Sequence, residues 1–82
     1  MIVDLELKRI IIRISGEDLL LDDISCETIL TSDLEFNSVK MISLIVEIES
    51  FFNIRFDDED LDLGKISVYG SLYKMVEKMV NN

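Results

Sequence analysis

The sequence contains no histidine at any of its 82 positions. A Ser–His–Asp or Cys–His arrangement for nucleophilic catalysis is therefore absent in its usual form, and zinc sites built on cysteine and histidine are absent as well. Acid–base catalysis by paired carboxylates would need a pocket that perturbs them, and a domain of this size has little room for one. We therefore predict that the chain is not an enzyme.

Residues that break helices are also scarce, because the chain has no proline and only three glycines. This scarcity favours a helical protein over the turn-dense all-β classes, and it excludes a glycine-rich phosphate loop. A hydrophobic content of 49% is too high for a disordered tail. The length predicts one domain spanning 1–82 and no more.

Cys26 is the only cysteine, so no internal disulfide is possible. We expect its side chain to be a small buried hydrophobe rather than a nucleophile. Long apolar runs are missing too, since stretches such as residues 10–12 fall far short of the ~20 residues that span a membrane. The N-terminus mixes acids with apolar residues and lacks the pattern of a signal peptide. We therefore expect a cytoplasmic protein without a membrane partner.

Basic residues are outnumbered, since 8 lysines and arginines face 17 acids and give a net charge of -9. Nucleic acid is thereby excluded as a partner, because binding phosphate needs clustered lysine and arginine. The negative electrostatic field of such a chain attracts proteins with basic patches. The densest acidic stretch is residues 57–62, but starting at Asp57 or Asp58 does not give the glycine and glutamate spacing of an EF-hand calcium loop. We interpret this stretch as a solvated charge run at the start of a helix.

Apolar residues at three- and four-residue spacing predict a first helix over residues 3–14, with Gly16 able to take the left-handed conformation after it. Residues 15–37 show no clear period and predict a long loop that scattered apolar residues anchor to the core. A loop of about twenty residues is unusual in a compact domain. Either the prediction of a loop is wrong, or the loop has a functional role.

The second helix is the clearest element, and Asn37 is a suitable residue to cap its N-terminus. An apolar stripe on it at three- and four-residue spacing predicts the buried face: Met41, Leu44, Ile45, Ile48 and Phe52. Further apolar residues lie outside this stripe: Val39, Ile42, Val46 and Phe51. They indicate either a docking face or a central helix wrapped by its neighbours.

The chain after this helix predicts an extended link over 53–56 and a short helix within 57–63 that Gly64 ends. A last helix is predicted over 68–80. Together these elements predict an all-α fold, a small four-helix bundle with a long loop between helices one and two and a short third helix.

One ordered set of motifs points to function. It begins with Asp33-Leu34, a short loop and Asn37-Ser38-Val39, and continues through an apolar helix that closes with Phe52, Ile54 and Phe56. The acidic run 57–62 and then Ile66-Ser67 follow. The set resembles the acyl and peptidyl carrier protein family, and the resemblance covers nearly the whole chain.

The resemblance implies that Ser38 carries a covalent 4'-phosphopantetheine arm, which a phosphopantetheinyl transferase moves from coenzyme A. The thiol of the arm would hold an acyl, aminoacyl or peptidyl group as a thioester, and loading and condensing enzymes would act on it. The carrier itself performs no bond chemistry and is expected to be a monomer. Partner contacts are implied at Asn37, Val39, Ile42, Ser43, Val46, Glu49 and Ser50, whereas Leu44, Ile48 and Phe52 should point inward.

The residues around Ser38 agree with this role. Ser38 follows a capping residue and a long loop, at the start of the second helix, and a phosphodiester there would lie near the positive end of the helix dipole. Taken alone, the same position fits a plain residue at a helix start. The resemblance decides in favour of attachment.

Three residues near the serine depart from the acidic family pattern: Asn37, Lys40 and Ser43. At the position of Asn37 the family has aspartate. Capping survives the change at Asn37 because asparagine and aspartate cap comparably, but negative charge is lost. We therefore favour a dedicated or secondary-metabolite pathway. The alternatives are a housekeeping carrier of fatty-acid synthesis, or an unloaded acidic helical adaptor that binds basic protein partners.

Overall fold

The structure, a computed structural model, describes residues 2–81 and contains five α-helices and two 3-10 turns within them. Three helices are long, α1 (Val3–Ser15), α3 (Ser38–Phe52) and α5 (Tyr69–Val80), and two are single turns, α2 (Leu30–Asp33) and α4 (Leu63–Ile66). Residues 2–81 form no strand. The predicted all-α fold is confirmed.

The three long helices begin and end close to the predicted positions. Gly16 follows α1 with a φ of 72°, a conformation that glycine adopts without steric cost. Asn37 caps α3, as predicted. Val68 immediately precedes α5, which ends at Val80.

The shorter elements differ from the prediction. The expected loop over 15–37 contains a 3-10 turn at Leu21–Asp23 and the single turn α2. Gly64 does not end a helix: a 3-10 turn occupies Asp58–Asp60, and Gly64 lies inside α4. The reason is that the Asp62 side chain accepts a hydrogen bond from the Gly64 backbone N–H at 2.9 Å and starts a new helix there.

The link after α3 also differs at its first residue. Asn53 is left-handed, with φ 55° and ψ 50°, and its backbone N–H bonds the Glu49 carbonyl. Asparagine tolerates this conformation better than most residues. Asn53 therefore ends α3 rather than beginning an extended segment.

The core lies between the inner faces of the three long helices. Two side chains from each are fully buried: Leu7 and Ile11, Leu44 and Ile48, and Leu72 and Val76. Phe52 is buried as well, so the inward orientation predicted for Leu44, Ile48 and Phe52 is confirmed. Ile45, predicted on the same stripe, is only partly buried.

Tyr69 links the two terminal helices through a polar contact. Its ring is buried, and its hydroxyl donates a hydrogen bond to the Asp4 carboxylate on α1. Burial and this hydrogen bond raise the pKa of the Tyr69 hydroxyl. Lys8 pairs with Asp4 at 3.5 Å and lies 5.7 Å from the centre of the tyrosine ring. The start of α5 is therefore held against α1.

Backbone hydrogen bonds fix the second half of the long loop to the start of α5. Leu30 N donates to Ser67 O at 2.6 Å, Tyr69 N to Thr28 O at 2.8 Å, and Gly70 N to Cys26 O at 3.0 Å. An antiparallel bridge between residues 29 and 68 accompanies them. We refer to these contacts as the loop pairing.

The loop pairing explains an incorrect prediction at Cys26. The side chain of Cys26 is exposed rather than buried. The backbone of Cys26, and not its thiol, packs against α5, because its carbonyl oxygen accepts from Gly70 N.

Gly70→Ala should destabilise the protein, although alanine has the higher helix propensity. A Cβ at position 70 would lie 2.8 Å from the Cys26 carbonyl oxygen and 3.1 Å from its Cβ. Such overpacking costs about 1–3 kcal/mol, against a propensity gain of about 1 kcal/mol. Urea unfolding measures the net loss.

Gly64→Ala is the matched control. A Cβ at Gly64 would meet only the Asp62 carboxylate, at 3.4 Å, which is ordinary contact. This variant should be neutral or slightly more stable. Equal unfolding midpoints for the two variants would contradict the packing role assigned to Gly70.

Candidate functional site

Ser38 is the first residue of α3 and is exposed. None of the side-chain hydrogen bonds among residues 2–81 uses its hydroxyl. The hydroxyl is therefore accessible to solvent and is not engaged in a hydrogen bond within residues 2–81.

The N-terminus of α3 supplies a positive environment for this hydroxyl. Asn37 Oδ1 accepts from Lys40 N at 2.9 Å, and Asn37 O accepts from Met41 N at 3.0 Å. The N–H groups of Ser38 and Val39 have no acceptor within the helix. These two donors and the helix dipole favour an anion such as a phosphodiester beside Ser38.

The loop that leads into Ser38 is anchored to the core. Phe36 is buried, and its backbone N–H donates to Leu30 O at 2.9 Å. Glu35 takes a φ of 55° to allow this turn, a conformation unfavourable for a residue with a Cβ. The position of Ser38 is thus set by packing on both sides, by Phe36 before it and by the buried face of α3 after it.

Lys40 has a role that its sequence position did not reveal. From the first turn of α3, its ammonium group donates to Ser15 O at the end of α1, at 3.0 Å, and lies 5.8 Å from the centre of the Phe36 ring. The carbonyl end of a helix attracts a cation. Lys40 therefore joins α1 to α3.

A groove of about 480 Å³ begins at Ser38 and runs beside α3. Its lining is almost entirely apolar and comprises Thr31, Phe36, Asn37, Ser38, Met41, Ile42, Ile45, Val46, Leu61, Leu63 and Ile66. The volume falls in the range of small-molecule sites. The Ser38 side chain therefore lies at the edge of an apolar groove of the size of a small-molecule site.

Leu61 and Leu63 form the far wall of this groove and were not predicted as site residues. The sequence placed them in a short acidic helix. A signal was present, since they are the two apolar residues in a strongly acidic stretch. Both are still partly open to solvent, so their role follows only from their position opposite α3.

Six of the seven residues predicted to contact partners are exposed, and Glu49 is the exception. Three apolar side chains on α3 are exposed, Val39 by 68%, Ile42 by 65% and Val46 by 58%. The polar members Asn37, Ser43 and Ser50 are exposed too. Glu49 differs, because it is partly buried and its carboxylate accepts from Phe56 N at 2.9 Å.

Residues 2–81 contain neither a metal-binding cluster nor a membrane-spanning helix. No group of three or more acidic, cysteine or histidine side chains in this range is arranged to hold a metal ion. None of the helices in this range has the length and apolar composition to cross a bilayer.

Comparison with protein families gives one match. The family described as phosphopantetheine attachment site matches residues 6–76, a span that includes α3 and the groove. Among curated proteins, none matches the sequence. Domains of the matched family take 4'-phosphopantetheine as a covalent group and lack catalytic activity of their own. Because the match covers most of the chain, this protein belongs to the phosphopantetheine attachment family, the family of carrier proteins.

Proposed function

We propose that residues 1–82 form a single carrier domain whose phosphopantetheine arm is attached to Ser38. The observation that carries the proposal is the exposed, unbonded hydroxyl at the N-terminus of α3, at the edge of an apolar groove. Within residues 2–81, no other serine begins a long helix beside a groove of this kind. Ser43 and Ser50 lie farther along α3 and lack the free N–H groups of the first turn.

The loading reaction would use the Ser38 hydroxyl as the nucleophile. Its oxygen forms a bond to the phosphorus that carries pantetheine in coenzyme A, the diphosphate bond breaks, and adenosine 3',5'-bisphosphate leaves with the electron pair. A transferase supplies the magnesium ion and also the base that takes the hydroxyl proton. The arm, once attached, supplies a thiol that holds cargo as a thioester. The chain contributes the hydroxyl, its orientation and the positive helix end.

The groove favours an acyl cargo over a charged aminoacyl group. Its walls are formed by aliphatic and aromatic side chains from α3, α4 and the loop before α3. Removing an apolar chain from water is favourable by about 0.8 kcal/mol for each buried CH₂ group, whereas an ammonium group would lose its hydration there.

The charge pattern of α3 favours a dedicated pathway over housekeeping fatty-acid synthesis. Its first two turns contain no acid, and Lys40 is engaged by α1. An enzyme that binds acidic side chains of this helix would contact none of them close to Ser38. The proposed partners are a phosphopantetheinyl transferase and the loading and condensing enzymes of that pathway, with the carrier itself monomeric, cytoplasmic and without catalytic activity.

Intact-mass spectrometry tests the proposal. The purified chain is incubated with coenzyme A, magnesium and a broad-specificity transferase, and we expect a gain equal to one phosphopantetheinyl group. Omitting the transferase is the control and should give no gain. If the folded chain gains no mass with the transferase, the proposal is wrong. The remaining interpretation is that the chain is an unloaded acidic adaptor.

A further inference from the structure

Lys40 is bonded through both its backbone and its side chain, and Ser38 lies inside the helical turn that it closes. The backbone N–H of Lys40 donates to the Asn37 side chain at 2.9 Å. Its half-buried side chain donates to Ser15 O at 3.0 Å, and the ammonium group lies 5.8 Å from the centre of the Phe36 ring. Lys40 therefore connects three segments, the end of α1, the loop before Ser38 and the first turn of α3.

The carbonyl oxygen of Ser15 is a suitable acceptor for this ammonium group. Ser15 is the last residue of α1 and is buried, and the last carbonyl groups of a helix have no donor within the helix. They also form the negative end of the helix dipole, which attracts a cation. Hydrogen bonds from a charged donor are among the stronger ones in proteins. The contact between Lys40 and α1 is therefore a fixed connection rather than a loose surface contact.

The segment beside Lys40 contains a strained residue. Glu35 has a φ of 55°, and a residue with a Cβ keeps such a conformation only where surrounding contacts impose it. The Glu35 side chain does not supply those contacts, because it is exposed and forms no ion pair within residues 2–81. The contacts come from Phe36, which is buried, donates its backbone N–H to Leu30 O at 2.9 Å and lies beside the Lys40 ammonium group.

We propose that Lys40 is a positioning residue for the loading of Ser38. Its ammonium group holds Phe36 against the end of α1 and thereby keeps the strained turn at Glu35 closed. This inference rests on the proposed attachment at Ser38 and assigns a further residue to that reaction. An open turn would displace the hydroxyl, and a displacement of about 1 Å can slow a reaction by about a hundredfold. A closed turn also spares the transferase the cost of ordering this segment.

Amide hydrogen exchange of the unloaded chain tests whether Lys40 keeps the turn closed. Lys40→Met retains an apolar stem but loses the charge, and it should speed exchange of the Phe36 amide about tenfold, as expected when a hydrogen bond to a charged group is lost. Lys40→Arg should stay close to wild type, because a guanidinium group can also donate to a carbonyl and stack on an aromatic ring. The control is Lys74→Met, at an exposed position on α5, and it should change nothing. Unchanged exchange at Phe36 in Lys40→Met would overturn the inference.

Single-turnover loading tests the effect on Ser38. Lys40→Met should lower the rate constant at saturating transferase about tenfold and leave the half-saturating concentration within about twofold, because a misplaced nucleophile affects the transition state rather than docking. Lys40→Arg should restore most of the rate. Val76→Ala truncates a buried side chain on a different helix, so it controls for lost stability and should load at the wild-type rate wherever circular dichroism shows it folded. A wild-type rate in Lys40→Met, a change in half-saturation alone, or an equal loss in Val76→Ala would each overturn the inference.

A second variant decides the question if Lys40→Met does not fold. Phe36→Leu keeps a buried apolar side chain but removes the ring beside the ammonium group. It should slow loading in the same way, with the half-saturating concentration unchanged. Loading of folded Phe36→Leu at the wild-type rate would contradict the proposed role of the contact between Lys40 and the ring.

The two proposals fail in different ways. Wild-type protein that gains no mass contradicts attachment at Ser38 itself, whereas the exchange measurement on the unloaded chain still decides whether Lys40 holds the turn. Wild-type protein that is loaded at Ser38, while Lys40→Met matches it in rate, contradicts only the positioning role of Lys40.

Discussion

Ser38→Ala should gain no phosphopantetheinyl mass under conditions that load the wild-type chain completely. Alanine has no hydroxyl, so no phosphodiester can form at this position. The loss should be complete rather than partial, because no other serine in the part of the chain that the structure describes stands at the N-terminus of a long helix beside the groove. Intact-mass spectrometry measures it, and digestion of the wild-type product assigns the modified peptide.

The matched controls for this prediction lie on the same helix. Ser43→Ala and Ser50→Ala remove an exposed hydroxyl from α3 at positions five and twelve residues after Ser38. Both should still be loaded, because each variant keeps the Ser38 hydroxyl. The unfolding free energy of Ser38→Ala should stay within about 0.5 kcal/mol of wild type, since the side chain is exposed. Persistent mass gain in Ser38→Ala would place the arm on a different residue.

Leu44→Ala should be among the most destabilising single truncations in α3. Leu44 is fully buried between the three long helices, and removal of a buried leucine costs about 2–5 kcal/mol. A domain of this length has a total stability of about 4–12 kcal/mol. The variant should therefore lose a large part of that stability, and urea unfolding followed by circular dichroism measures the loss.

Ile42→Ala provides the contrast, because it truncates an aliphatic side chain of the same helix that is 65% exposed. Its unfolding free energy should change by less than about 0.5 kcal/mol. The two variants separate the two faces of the helix: Leu44→Ala should lower the free energy of unfolding strongly, and Ile42→Ala should leave it nearly unchanged. Similar stability losses in both would contradict the burial pattern described for α3.

The sequence predicted the long helices well because each carries a clear local signal. The three- and four-residue spacing in 3–14 matches α1, and the Asn37 cap with the stripe through Leu44 and Ile48 matches α3. These signals come from neighbours within one or two turns, so they can be read without tertiary contacts.

The features that the sequence did not predict depend on contacts between distant segments. Cys26 is exposed because its carbonyl oxygen, and not its side chain, meets α5. Lys40 bonds Ser15 O on another helix, and Leu61 faces the groove only because α4 returns toward α3. None of these positions has a periodicity or a neighbour that reveals its partner. The proposal that the arm is attached to Ser38 could be made from motif order, whereas the surfaces around this residue required the fold.

The loop pairing has a consequence for how the chain folds. Its hydrogen bonds join Cys26, Thr28 and Leu30 to residues 67–70, which lie roughly forty residues later in the chain. Closing so long a segment costs entropy before any contact is gained, so these bonds should form late, after the helices have begun to pack. Once these hydrogen bonds have formed, the amide protons in them should be among the slowest to exchange with solvent. The reason is that opening the bonds separates the long loop from α5, and the segment before Ser38 then loses its support.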